Sequence, residues 1–432
     1  MSFPSSGWRL GLPLTLLPAA VALHAPLQAR GPEPVVRVLL KEAPVVEVGV
    51  AGSAPLQLRD DGGRSLLEIR PGQRMRLRPA KGGLQAELVS GRAGGRAVPL
   101  SVRQAWIDPK PGSGSLLLLD NRRYRGRLHL LPDGRELQAI NVVGLETYLP
   151  SVVGSEMPAS WPQAALRAQA VAARTYALRQ RKPDAPFDLK ATVASQVYKG
   201  VESETPSTRQ AVASTRSQVL MHGSSLIDAV FHSSSGGVTE NSGEIWTRQV
   251  PYLVSVPDFD DASPVRQWEK RLEPADLLKA FPELGGLTDI DVLRTSGSGR
   301  VQLARVSGPR GTKVIKGAEL RKRLGLRSTL VKFRFEAPAP GSLPIDSRTA
   351  SAMAPLPLPV LPDVLPAGPY GAIARAVRRE TLPSLLAQGR GFGHGVGMSQ
   401  WGAYGLAQRG RTHEQILQHY YRGVVVRPYT GR

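Results

Sequence analysis

Short β-branched runs separated by glycine turns fill residues 33–130, and they limit the possible folds more than any other feature of the chain. The runs at 35–40 and 45–50 are typical of buried strands. Those at 66–70 and 75–78 alternate apolar with charged residues, as half-buried strands do. This pattern predicts a β-rich N-terminal part.

Strong helix formers follow the predicted strands. Residues 164–181 predict an alanine-rich helix that Ser160 caps. A second helix is expected over 206–217. Thr412, with Gln415 three residues later, has the capping-box spacing and predicts another helix near the C-terminus.

The order of these patterns predicts an α+β fold, a β-rich core with a few packed helices and an inserted smaller α/β subdomain forming a groove. With 45 glycines and 37 prolines in 432 residues, the chain has the composition of a protein with many turns. Six segments are expected: 1–29 as a signal peptide or N-terminal anchor, 33–130 as the β-rich part, 131–264 as the core, 265–336 as the inserted α/β subdomain, 337–369 as a Pro-rich linker, and 370–430 as a Gly-rich C-terminal part of the core.

The first 29 residues have the layout of a secretory signal. Arg9 precedes an apolar run over 10–23, and the small residues Ala25 and Ala29 follow, so we expect cleavage near Ala29. The alternative of an uncleaved anchor stays open. No other stretch approaches the roughly 18 apolar residues of a membrane span. We therefore expect an exported protein, in the periplasm or the cell wall.

Composition excludes several kinds of chemistry. The chain has no cysteine, which excludes disulfides, thiol nucleophiles and thiolate metal sites. The net charge of +21 predicts attraction to polyanions. Since an exported protein meets anionic envelope polymers more often than nucleic acid, no nucleic-acid partner is expected.

Five glycines occupy every second position from 389 to 397. The run lacks the Gly-Lys-Ser/Thr ending of a phosphate loop and the βαβ context of a dinucleotide fingerprint. Such glycines let the backbone approach either a ligand or another strand closely. The chain also has no Gly-x-Ser-x-Gly elbow and no metal-binding histidine spacing. No cofactor and no metal are expected.

Glu156 is the candidate catalytic residue. It is expected on a short loop between an apolar run and the alanine-rich helix, among Val153, Met157 and Trp161. Partial desolvation there would raise its pKa, as a general acid requires. The alternative is an acid stabilised by a nearby helix N-terminus. Glu146 is the rival carboxylate, and we expect it to face solvent.

Several motifs in order along the chain carry a resemblance to a known family. They are Leu145-Glu-x-Tyr-Leu, Ser155-Glu-Met-Pro-x-x-Trp-Pro, the alanine-rich run 164–177, Phe231-His-Ser-Ser-Ser-Gly-Gly-Val-Thr-Glu-Asn-Ser, Gly393-His-Gly-Val-Gly-Met-Ser-Gln-Trp-Gly-Ala and His419-Tyr-Tyr. Over most of residues 35–430 the chain resembles the family of stage II sporulation protein D (SpoIID) and the LytB amidase enhancers.

The resemblance implies a peptidoglycan lytic transglycosylase that acts on glycan strands, especially those stripped of their stem peptides. It implies that Glu156 is the catalytic acid and that 131–264 is a SpoIID-like catalytic core. Some relatives carry zinc on cysteine and histidine, but this chain has no cysteine, so that metal is not carried over. Sporulation is not implied.

Polar side chains in the Gly-rich segments are suited to bind sugar hydroxyl and acetamido groups. The candidates are Ser235, Thr239, His394, Ser399 and Gln400, with Trp401 and Tyr404 able to stack on sugar rings. Packing of buried loops is an equal alternative for all of them. A second hypothesis for the whole chain is a non-catalytic glycan-binding protein that activates a cell-wall amidase.

Overall fold

A computed structural model describes residues 33–90, 97–336 and 382–431. The predictions for 1–29 and 337–369 lie outside these residues. The described part is a mixed α+β structure with several sheets and eight α-helices, which confirms the predicted fold class. None of the helices in these ranges is long and apolar enough to cross a membrane.

Twelve strands come first along the chain. They are β1 (Val35–Ala43), β2 (Val46–Ala51), β3 (Leu56–Arg59), β4 (Ser65–Ile69), β5 (Gln73–Ala80), β6 (Gly83–Ser90), β7 (Ala97–Leu100), β8 (Ala105–Pro109), β9 (Leu116–Leu119), β10 (Arg122–Tyr124), β11 (Arg127–Asp133) and β12 (Glu136–Gly144). The four runs predicted as strands are β1, β2, β4 and β5. Their alternating burial is that of half-buried strands, as in β5, where Met75 and Leu77 are buried between exposed arginines.

Twelve further strands follow. They are β13 (Leu189–Lys190), β14 (Gln218–His222), β15 (Ser225–Leu226), β16 (Phe231–His232), β17 (Gln267–Leu272), β18 (Asp289–Thr295), β19 (Val301–Gly308), β20 (Gly311–Lys316), β21 (Val331–Glu336), β22 (Ser384–Arg390), β23 (Met398–Ser399) and β24 (Val425–Pro428). The two largest sheets have the orders β13-β1-β12-β11-β8-β3-β4 and β10-β9-β2-β5-β6-β7. Their buried residues join those of several helices in one hydrophobic core.

The eight helices of the described residues are α1 (Leu145–Glu156), α2 (Gln163–Arg179), α3 (Pro206–Ser214), α4 (Ser242–Ile245), α5 (Pro274–Ala280), α6 (Gly317–Leu324), α7 (Gln400–Gln408) and α8 (His413–Tyr420). Helix α2 is central and packs against α1, α3, α7 and α8. Its buried alanines let these neighbours approach closely, because a methyl side chain occupies little space.

Two of the helix predictions need correction. Ser160 does not cap α2, which begins after Pro162 without a side-chain cap. Glu156 does not lie on a loop, because the apolar run before it is helix α1, which contains Pro150 and ends at Glu156. The capping box of Thr412 and Gln415 at α8 is confirmed.

A second, smaller hydrophobic core lies in the part of the chain that begins at β17. It is built from residues between Trp268 and Ala387, including Phe281, Val306 and Leu385. Strand β22 is the centre of its β17-β22-β21 sheet, although the sequence placed 370–430 with the main core. The chain enters and leaves this unit at adjacent points, since the Gly391 backbone N–H donates to the Arg266 carbonyl.

The glycine run from 389 to 397 packs against the protein itself. At each of the five positions a β-carbon would overlap neighbouring atoms, which belong in turn to Trp268, to Ser234 and Ser235, to His232, to Arg300 and to Val230. Gly395 also has a φ of +87°, and its missing side chain leaves room for the buried Arg300 guanidinium. Of the two possibilities left by the sequence, the run provides close approach to other parts of the chain.

Candidate active site

Glu156 is the last residue of α1 and is half-buried. One carboxylate oxygen accepts a hydrogen bond from the Val197 backbone N–H at 3.0 Å, and the other accepts one from Gln400 Nε2, also at 3.0 Å. Within the described residues, no arginine, lysine or histidine forms an ion pair with it. The carboxylate is therefore held in place by neutral donors while remaining reachable from solvent.

Burial raises the pKa of the Glu156 carboxyl above its ordinary value. The hydrogen bonds from Val197 and Gln400 and the charge of Lys199 act in the opposite direction but do not cancel this effect. The C-terminal position in α1 adds to the rise, because this end of a helix carries partial negative charge. The protonated form thus persists to higher pH than it does in an exposed glutamate.

Three aromatic rings form a cluster beside this carboxylate. Trp161 lies 4.7 Å from Trp401 and 5.0 Å from Tyr404 between ring centroids, and Trp401 and Tyr404 are 5.6 Å apart. All three are partly exposed. Trp401 follows Gln400 directly in α7. From the sequence, Trp161 is expected only to shield Glu156 from solvent. Its place in the Ser155–Pro162 motif was a signal that its ring also belongs to the candidate site.

Gln400 is the predicted binding residue that the structure brings into contact with Glu156, and Ser399 and Trp401 flank it in the chain. Gln400 is buried, and its amide donates to the carboxylate, so its contact is with the candidate acid. Ser399 is fully buried and caps α7, where its hydroxyl accepts from the Gly402 N–H at 3.1 Å. Sugar binding by these residues stays a prediction.

Ser235 and Thr239 lie elsewhere, in a buried polar cluster. The Ser235 hydroxyl donates to Asp258, which also accepts from Tyr420 Oη at 2.5 Å. Thr239 exchanges hydrogen bonds with the backbone of Val256. Burial, and next the charge of a neighbouring aspartate, raise the pKa of Asp258. Both predicted residues therefore have partners inside the protein, which fits the alternative of loop packing.

His394 also lies apart from Glu156. Its Nε2 lies 3.1 Å from the Phe231 carbonyl, and its Nδ1 accepts from the Val396 N–H at 3.1 Å. Burial lowers its pKa to about 4, so the ring is neutral at neutral pH. Its centroid is 5.6 Å from that of Trp246.

The expectation that Glu146 faces solvent is wrong. Its side chain is 10% exposed, and both oxygens accept from the Arg174 guanidinium at 2.7 Å. Arg174 is itself fully buried and also donates to the carbonyls of Val212 and Gln218. Arg174 thus balances the charge of Glu146, which has a structural role at the start of α1.

The described residues offer no counterpart to the cysteine–histidine zinc site that the resemblance attributes to some relatives. The described residues contain no group of three histidine, aspartate or glutamate side chains placed to hold a metal ion, and the sequence has no cysteine. The available donor set does not fit a zinc ion of that kind.

Fold and site together define a mixed α+β protein with a half-buried glutamate that neutral donors hold at the end of a helix. The family model described as Stage II sporulation protein matches residues 133–222, which include α1, Glu156 and α2.

Two relatives from Bacillus subtilis (strain 168) extend the match. The amidase enhancer is 32% identical over 300 residues, which are 65% of this chain and 40% of the relative. Stage II sporulation protein D is 30% identical over 309 residues, 67% of this chain and 76% of the relative. A protein of Brachyspira hyodysenteriae is 29% identical over 316 residues. The chain belongs to the SpoIID family, and it spans 40% of the length of the amidase enhancer that it matches.

Proposed function

We propose that this protein is a peptidoglycan lytic transglycosylase that cleaves the bond between N-acetylmuramic acid and N-acetylglucosamine in peptide-free glycan strands. The observation that carries the proposal is the environment of Glu156. It is a half-buried carboxylate with a raised pKa, neutral hydrogen-bond donors and no paired cation among the described residues.

The proposed reaction uses Glu156 twice. The protonated carboxyl first gives its proton to the glycosidic oxygen as the bond from C1 of muramic acid breaks. The resulting carboxylate then takes the proton from the C6 hydroxyl of the same sugar while O6 bonds to C1. The products are a 1,6-anhydromuramic acid end and a free 4-hydroxyl, and Glu156 regains its proton.

A single carboxylate is enough for this chemistry. Ordinary glycosidases need two, because one protonates the leaving group while the second activates water or attacks the sugar. Here the substrate supplies its own nucleophile. The other buried acids described above have partners: Glu146 pairs with Arg174, and Asp258 accepts from Ser235 and Tyr420.

The surroundings of Glu156 support a carbohydrate substrate. The cluster of Trp161, Trp401 and Tyr404 presents partly exposed rings on which a sugar face can stack, next to the amide that holds the acid. The chain's net charge of +21 favours a strand that carries lactyl carboxylates. We place the protein outside the cytoplasm, in the periplasm or cell wall, where this substrate is found.

The test is digestion of purified, peptide-free glycan strands, with mass spectrometry of the products. We expect Glu156→Gln to lower the release of anhydro-ended fragments by about 10³-fold, the scale of general acid–base catalysis. Glu136→Gln is the matched control, because Glu136 is exposed in the β11–β12 hairpin. Equal release by wild type and Glu156→Gln would refute the assignment.

A second candidate function is activation of a separate cell-wall amidase by a non-catalytic glycan-binding protein. It is favoured by one observation, the relative named amidase enhancer. This function predicts co-sedimentation with cell wall and stimulation of an added amidase, with no anhydro ends produced by the protein alone. Glu156→Gln would then retain full stimulation.

A further inference from the structure

A second group of exposed aromatic side chains lies outside the cluster beside Glu156. Trp246, which follows α4, is 40% exposed, and Phe392, in the glycine run, is 44% exposed. Partly exposed His394 lies against Trp246. We call Trp246, Phe392 and His394 the distal patch. Large rings facing water on a folded surface are typical of binding sites.

The distal patch is tied to the same short segment of backbone as the candidate active site. The Phe392 N–H donates to the Ser234 carbonyl at 2.7 Å, and His394 Nε2 lies 3.1 Å from the Phe231 carbonyl. The Trp401 N–H donates to the Ser233 carbonyl at 3.0 Å. Residues 231–234 therefore join the patch to the start of α7, which carries Gln400 and Trp401.

Several arginines are neighbours of distal-patch residues, either along the chain or through a backbone hydrogen bond. Arg248 follows Trp246 by two residues and Arg390 precedes Phe392 by two, while the Arg327 carbonyl accepts from the Gly393 N–H. The charge of Arg321 contributes to the low pKa of His394.

In the described parts of the chain, none of these four arginines has an acidic partner. The nearby acid Glu244 accepts from Gln302 instead. His394 is neutral at neutral pH, so the positive potential here comes from the arginines.

We propose that the distal patch is a second sugar-binding subsite, which takes a muramic acid whose lactyl carboxylate is free. The apolar face of the sugar stacks on Trp246 or Phe392, and the carboxylate pairs with the arginines, for which bidentate pairing is favourable. A stem peptide would convert that carboxylate into a neutral amide. The inference rests on the proposed action on glycan strands and assigns the recognition of a bare strand to named residues.

The test measures binding without turnover, in full-length protein carrying Glu156→Gln. Two probes of equal length are used: peptide-free glycan strands, and chitooligosaccharides, which lack the lactyl group. We expect added Trp246→Ala to weaken binding of both probes about tenfold, through lost stacking. The added pair Arg248→Gln and Arg390→Gln should weaken only the glycan strands, also about tenfold, through lost charge pairing.

Arg216→Gln is the matched control, since Arg216 is exposed on another part of the surface and should change neither affinity. Thermal unfolding of each variant checks that the fold is kept. Loss of both probes to the same extent in the arginine variant, or loss of neither, would overturn the proposal. A DNA oligonucleotide that binds as tightly as the glycan strand and responds to the same variants would overturn it too.

The outcome separates this inference from the proposed reaction. If wild-type protein releases no anhydro ends while the variants lose binding as expected, the catalytic proposal fails and the subsite stands. If Glu156→Gln abolishes cleavage but the patch variants bind both probes normally, the subsite alone fails.

Discussion

The two ends of helix α1 each carry a glutamate, and their environments are opposite. Glu146, at the first turn, is held by two hydrogen bonds from the buried Arg174 guanidinium. Glu156, at the last position, has only neutral donors. The helix dipole favours a charged carboxylate at the first end and disfavours it at the second. The same residue type, ten positions apart, therefore has a buried cationic partner in one place and a raised pKa in the other.

This difference shows what distinguishes a structural acid from a candidate catalytic one. Both glutamates are largely removed from solvent, so burial alone does not separate them. The distinguishing feature is the neutralising cation. A buried arginine partner compensates the charge of an acid, so that removing the partner is costly, whereas the desolvation of an acid without such a partner raises its pKa.

The largest effect expected at the structural end of α1 comes from Arg174→Met. It leaves Glu146 buried without its partner, which costs about 3–5 kcal/mol in the free energy of unfolding. Chemical denaturation with a far-ultraviolet circular dichroism readout measures this loss. The exposed Arg216→Met serves as the control and should change stability little. A cost within about 0.5 kcal/mol of the control would contradict the role given to the ion pair.

Replacing both Glu146 and Arg174 tests whether the cost comes from the unpaired charge. In the double variant Glu146→Leu with Arg174→Met, no unpaired charge remains, so much of the lost stability should return. If the double variant is less stable than Arg174→Met by the full cost of Glu146→Leu, the two side chains are not coupled.

A smaller effect is expected at the catalytic end from Gln400→Met, which removes the amide donor while keeping the length of the side chain. The hydrogen bond from Gln400 favours the charged form of Glu156, so its loss moves the pKa further upward. The alkaline limb of kcat/KM should shift to higher pH. A hydrogen bond to a charged group is worth ~1.5–3 kcal/mol, so we expect kcat to fall about ten- to hundredfold. An unshifted limb would show that Gln400 does not act on the acid; exposed Gln388→Met is the control.

The smallest effect is a change in the pH dependence of stability in Glu156→Gln. Because the folded pKa of Glu156 lies above the ordinary value of 4.5, wild-type protein loses stability as pH rises through the interval between the two. The variant lacks this loss. The difference in unfolding free energy, variant minus wild type, should therefore increase with pH above 4.5 and level off above the folded pKa. A difference independent of pH would mean that the pKa of Glu156 is not raised.

The sequence predicted strands of the β-rich part and the desolvation of Glu156 well, for a physical reason. Strand periodicity and glycine turns are local signals, and they located β1, β2, β4 and β5. The motif around Glu156 combines apolar neighbours with one acid, from which partial desolvation was expected beside the alternative of an acid near a helix N-terminus. The Thr412 capping box was also local and is present in the structure.

The errors concern partners that lie far apart in the chain. Glu146 could not be recognised as paired because Arg174 lies 28 residues away on another helix. Ser235 and Thr239 were grouped with Gln400 by composition, yet their hydrogen bonds go to residues 258 and 256. Helix α1 was not predicted from the sequence. It contains Pro150, and a proline usually breaks a helix.

The hydrogen bond between the Gly391 N–H and the Arg266 carbonyl also bears on how this family can change over time. The whole unit with the second core leaves and rejoins the main chain at two residues that are already neighbours. The unit is nevertheless bonded to the main part away from this junction: Arg300 donates to the Ser235 carbonyl, and Ser296 and Ser298 donate to the buried Glu240 carboxylate. Parts of the unit away from these contacts and from the junction can therefore be exchanged or enlarged while Gln400 continues to donate to Glu156.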